Sequence, residues 1–184
     1  RLARHIGRGE RPHDRDPAHI REKNRTREPA SPYFISWGVG SVEGDPGTWF
    51  PAIHPLADTH SIEDIESYPW PDMNDPTRVA HVKAEAQKLA DENNYAILAT
   101  PWLAFPLERA YAMQRMDKFM QHLGRHPEFT RALLTKIAEL CKTLMGHFLR
   151  EIGDNIDMIK IGDDLGMQNS LLMSPKMYRE IVKP

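Results

Sequence analysis

Apolar residues recur at three- and four-residue spacing from Phe129 to Ile152, through Leu133, Leu134, Ile137, Leu140, Cys141, Leu144, Met145, Phe148 and Leu149. That period lays a stripe along one face of a helix, so the longest helix is expected to begin at His126-Pro127 and run to about Ile152. Val79, Val82, Ala86 and Leu89 mark a second stripe, with Asp75 as cap and Pro76 in the first turn. "PLERAYAMQRMDKFMQHLG" predicts a third helix, or two short ones, ending at Gly124. Ser61 with Asp64 three residues later has the pattern of a capping box for a short helix that Pro69 and Pro71 end. Ser174-Pro175 caps a last helix through "KMYREIV".

Between these stripes lie short apolar runs of strand length. "YFISWGVGSV" is aromatic and β-branched with Gly38 and Gly40 inside it, and is expected to form a strand or hairpin. "YAILAT" and "DMIKIG" are apolar on both faces, as in strands buried on both sides. "EGDPGTWFPAIHPLAD" is expected to be a loop with a short extended piece, and residues 1–30 show no convincing period. Strands alternating with helices long enough for right-handed crossovers predict an α/β fold with a parallel sheet. Both an open doubly wound sheet and a barrel fit, but about three or four strand-like runs are too few to close eight strands.

Composition narrows the class. The chain has 184 residues, 40% hydrophobic and 27% charged, with a net charge of −2, which is ordinary globular composition with no run long enough to cross a membrane. One cysteine excludes an internal disulfide framework and fits a reducing cytoplasm. Residues 1–30 carry nine Lys/Arg against five Asp/Glu. Interleaved acids and the lack of aromatics make this basic segment a poorly ordered, solvated arm rather than a nucleic-acid site.

Candidate chemistry concentrates after the strands, where parallel α/β folds build their sites. "GDDLGMQN" puts Asp163 and Asp164 at the end of an apolar run. Neighbours on a strand point to opposite sides, so at most one should face a central pocket. Two close carboxylates can split their pKa values into a proton carrier and an ionised group. A βα turn in which Asp accepts backbone N–H groups and Gly166 supplies a left-handed residue explains the same letters. Trp102, Glu108 and Arg109 follow the other apolar strand, and Trp37 is either core or a pocket wall. The nine histidines make no HExxH, HxH or His–Cys cluster, and "GVGSVEG" lacks the helix start of a dinucleotide loop. Cys141 sits on a core stripe, where a small buried hydrophobe is expected.

Three segments resemble the uroporphyrinogen decarboxylase superfamily: "HPLADTHSIEDIESYPWPD", "ATPWLAFPLERAYAMQRMDKFMQHLGRHPEFTRALLTKI" and "IKIGDDLGMQNSLLMSPKMYREIVKP". Pro101-Trp102 resembles that family's Gly-x-Pro-aromatic turn, and Asp163-Asp164-Leu165-Gly166 stands where its decarboxylases carry Asp-Ser-Trp-Ala-Gly. Ser174, Pro175, Tyr178, Ile181 and Pro184 keep the spacing of its Ser-Pro-x-x-Phe-x-x-Phe-x-x-Pro helix. The resemblance implies a (β/α)8 TIM barrel, present here as an internal fragment over about residues 31–184. Such a fragment, with sheet edges left open, is expected to be poorly soluble or partly molten by itself.

Within that superfamily, Asp-Asp-Leu-Gly-x-Gln and "HPLAD…YPWPD" look like the corrinoid (cobalamin)-linked methyltransferases. The resemblance then implies methyl transfer between a small methylated substrate, a corrinoid protein and a thiol acceptor, with zinc ligands downstream of Pro184 and no metal ligand in this chain. Asp163 and Asp164 would be the catalytic or proton-handling groups, with Trp37, Trp102, Glu108, Gln168 and Asn169 binding substrate. The alternative is uroporphyrinogen decarboxylase itself, acting in porphyrin biosynthesis without metal or cofactor. Its serine after the strand aspartate is Asp164 here, a carboxylate that would repel the acid side chains of a porphyrinogen. Nothing in "RLARHIGRGERP" matches that enzyme's basic clamp. A non-catalytic binding module using the acidic pocket is the third possibility.

Overall fold

A computed structural model of the chain describes residues 3–6, 33–43, 49–92, 94, 96–100 and 105–184. The elements in chain order are β1 (Ala3–Ile6), β2 (Tyr33–Phe34), β3 (Gly40–Glu43), β4 (Trp49–Ile53), α1 (Ile62–Ser67) and α2 (Thr77–Glu92). They continue with β5 (Ala96–Ala99), α3 (Pro106–Gln114), α4 (Met116–Arg125), α5 (Pro127–Ile152), β6 (Met158–Ile159) and α6 (Pro175–Met177), which runs on into a π-helical turn, Tyr178–Val182. The fold is mixed α/β, with helices outweighing short strands.

Local chemistry sets the helix limits. Ser61 accepts from the Asp64 N–H while Asp64 accepts from the Ser61 N–H, so α1 has its capping box. Asp75 accepts from both the N–H and the hydroxyl of Thr77 at the start of α2. Pro127 opens α5, whose missing N–H costs nothing in a first turn. The stretch expected as one or two helices is two, because Arg115 breaks it with φ 68°.

Two three-stranded sheets form among the described residues. One is all parallel in the order β1-β5-β6, with Ala3 in register with Ala96 and Leu98 with Met158. The other is antiparallel in the order β2-β3-β4. One expectation needs correcting here. Residues 1–30 showed no element in the sequence, yet Ala3–Ile6 is a strand beside β5. The short extended piece expected within "EGDPGTWFPAIHPLAD" is β4, whose Pro51 is tolerated because β4 lies on the sheet edge, where a missing donor need not break a ladder.

The helices bury two cores. Val79, Val82, Ala86 and Leu89 of α2 pack with Phe148 and Ile152 of α5 against Ile97 and Ala99 of β5, covering one face of the parallel sheet. The larger core gathers Trp37, Leu56, Met73, Leu107, Met113, Phe119, Leu133 and Ile137 between the antiparallel sheet, α1, α3, α4 and α5. Cys141 lies in it, as its stripe predicts. Burial pushes its thiol up to about 11, so it is protonated and unreactive at neutral pH.

The outer edge of β6 is different. Met158 is 49% exposed and Ile161 62%, with Leu165, Met167 and Leu171 also open to solvent. An apolar parallel edge of this kind invites pairing with other chains. Ile161→Lys is therefore expected to reduce self-association without lowering the melting temperature, as read by light scattering beside a thermal scan.

Candidate functional site

Where β5 and β6 end, the loop after β6 returns to the start of α3. Asp163 Oδ2 accepts from the Leu107 N–H at 2.7 Å and Oδ1 from the Glu108 N–H at 2.8 Å. The first turn of any helix leaves such donors without partners. Phe105, the residue at the α3 cap, supplies no side-chain bond, and Pro106 has no N–H to satisfy. The cap thus comes from a residue more than fifty positions along the chain. Gly162 lets the loop approach, since a Cβ there would stand 3.3 Å from the Phe105 ring.

Four titratable side chains lie close enough around this joint to influence one another's protonation. Burial pushes the Asp163 carboxyl above its ordinary range, against the pull of the N–H groups of Leu107 and Glu108, while adjacent Asp164 pushes the same way. Glu108 is raised by burial and then by Asp164 and Asp163, with Arg109 opposing. The Tyr111 phenol is raised by burial and by the same three acids. Its hydroxyl, like Trp37 Nε1 and Thr100 Oγ1, is buried with no hydrogen-bond partner among the described residues. Arg109 is buried at 8% exposure, its guanidinium 5.0 Å from the centroid of the Trp37 ring.

The sequence-predicted residues separate clearly. Asp163 and Glu108 are half-buried together, and Asp164 beside them is exposed. Trp37 has no exposed surface and sits in the core edge-on to Trp70 at 6.2 Å, so it walls no open pocket. Gln168 and Asn169 are exposed at the tip of a turn closed by the Met167 N–H on the Ser170 carbonyl, with Gly166 bridged to Leu171. Trp102 lies outside the described residues. Tyr111 and Thr100 were not singled out from the sequence. Tyr111 stands three residues after Glu108, the spacing of neighbours on one helix face, and could have been found that way.

The arrangement can do limited but definite things. Carboxyls raised by burial can hold a proton and donate it, and exposed Asp164 can pair with a cation. The same negative field disfavours a carboxylate ligand. Among the described residues, no three His, Cys, Asp or Glu side chains are grouped to hold a metal ion. No described helix is long and apolar enough to cross a membrane. None of the protein-family models, curated proteins or solved structures compared with the chain matches it.

Proposed function

We propose that this chain is part of a uroporphyrinogen decarboxylase-like (β/α)8 barrel that transfers a methyl group between a small methylated compound, a corrinoid protein and a thiol acceptor in the cytoplasm. The resemblance of "IKIGDDLGMQNSLLMSPKMYREIVKP" to that superfamily supports it, as does a parallel sheet with helices over one face. The single observation that carries the choice of reaction is the gathering of Glu108, Asp163 and Asp164 around Tyr111. An acid-rich mouth accommodates a neutral or cationic methylated substrate and repels the carboxylate arms of a porphyrinogen.

In this reading Asp164 is the group that meets substrate, anchoring it or handling a proton, while Asp163 positions α3. Zinc, if the whole protein binds it through residues downstream of Pro184, would lower the pKa of the acceptor thiol. Asp164→Asn in the full chain is expected to cut methyl transfer by about tenfold or more while leaving the melting temperature unchanged. The assay follows transfer from methylated amines or ethers to a corrinoid, beside metal analysis of the same preparation. Unchanged turnover would remove Asp164 from the site. A metal-free preparation that decarboxylates a porphyrinogen would replace methyl transfer with the haem-pathway reaction.

A further inference from the structure

The C-terminal half of α3 is held by a second polar assembly, away from the acids. His54 donates its Nδ1–H to the Ala112 carbonyl at 2.7 Å, and the Leu56 N–H donates to the Met113 carbonyl at 2.9 Å. The next residue, Gln114, is fully buried, and its amide nitrogen stands 2.9 Å from His122 Nδ1 on α4. An amide nitrogen can only donate, so this bond requires an unprotonated Nδ1. The His122 ring is packed edge-to-face against His60 at 5.4 Å, His126 at 5.5 Å and Phe129 at 5.1 Å. Three imidazoles thus meet from the loop before α1, from α4 and from the α4–α5 joint.

We propose that His60, His122 and His126 form a pH-sensitive clamp on the C-terminal end of α3, closed while His122 is neutral and released when it gains a proton. Protonation would set an N–H against the Gln114 amide donor and place a charge in a buried position. The charged groups facing His122 offer no relief. His60 and His126 are its ring neighbours, and Lys118 lies one turn earlier on α4; all three oppose a positive ring. Asp64, which lies in the field of His60, already accepts the N–H groups of His60 and Ser61 in the α1 cap. At the α3–α4 elbow Arg115 is paired with Asp117 and lies in the field of Asp58. The Gln114 oxygen is buried without a partner among the described residues. Turning the amide to offer that oxygen would strand its NH2 group there instead. His54 donates through Nδ1–H, so its bond to Ala112 survives in either charge state.

The direction of the pH effect follows. Burial, then His60 and His126, hold His122 below the ordinary imidazole value. The unfolded or opened form takes up a proton more readily, so the clamp's contribution is complete above about pH 6.5 and is lost as pH falls below it. Because α3 also carries Glu108 and Tyr111, loosening its C-terminal end reaches the acidic joint whatever reaction occurs there.

Hydrogen exchange of the full chain at about pH 7.5 and about pH 5.5, corrected for intrinsic rates, reads the clamp on either side of the ordinary imidazole value. The Leu56 amide and the amides of the α3–α4 elbow are expected to lose about tenfold protection at the lower pH, close to the effect of a one-unit shift. H60Q/H126Q changes only exposed residues, so it keeps the core while removing the like charges. It should shrink that loss and move the His122 proton resonance to a higher titration midpoint. Equal protection at the two pH values, or an undiminished loss in H60Q/H126Q, would overturn the clamp.

Discussion

Asp163→Ala is expected to destabilise the chain by about 2–3 kcal/mol, the scale of losing a helix cap that is also a charge-assisted pair of bonds. The variant strands two N–H donors, those of Leu107 and Glu108, in a half-buried joint. It also cuts the tie between the loop after β6 and the start of α3. Asp163→Asn keeps one acceptor oxygen and removes a charge that its half-buried position already disfavours. The amide oxygen caps one N–H and the amide nitrogen opposes the other, so this variant should lose less than Ala, about 1–2 kcal/mol. Urea unfolding followed by fluorescence gives both values. A reversed order, with Asn worse than Ala, would mean that the carboxylate charge rather than the cap holds the joint.

Gly38→Ala is expected to cost about 2–4 kcal/mol, since it combines backbone strain with a lost buried hydrogen bond. Gly38 has φ 78°, and a Cβ there would collide with the Tyr68 hydroxyl. That hydroxyl donates to the Trp37 carbonyl at 2.7 Å. Tyr68 in turn packs edge-on against Trp70 at 4.9 Å, and Trp70 against Trp37. Displacing the phenol therefore disturbs the aromatic group beneath Arg109. In a Tyr68→Phe background the clashing atom is gone, so the glycine substitution should cost distinctly less, and the difference is the coupling between the two sites. Additive losses in the double variant would assign the whole effect to the positive φ.

Much of the helical structure was legible in single segments. The stripe from Phe129 to Ile152 is α5, bounded by Pro127 and the turn at Gly153. Ser61 with Asp64, Asp75 with Thr77 and Ser174 with Met177 cap where their spacing says they should. These are local bonds, satisfied within a few residues, so the letters nearest them suffice. The strands were less legible. β1 has only four residues, β2 and β6 only two, and their stability lies in neighbours far along the chain, which no short window contains.

The candidate site divides the same way. By itself the sequence determined that Asp163 and Asp164 follow a short apolar run, and that at most one of them turns inward. It also determined that Cys141 belongs to a core stripe. Only the tertiary structure decided which aspartate turns inward and what it meets. Asp163 caps α3 across 56 positions, because a helix N-terminus left without a local cap takes whichever acceptor packing brings to it. Packing likewise buried Trp37 in the core and joined His60, His122 and His126, whose spacing matches no standard pattern. Periodicity and capping are properties of adjacent residues, whereas burial and electrostatic neighbours arise only when distant segments close on one another.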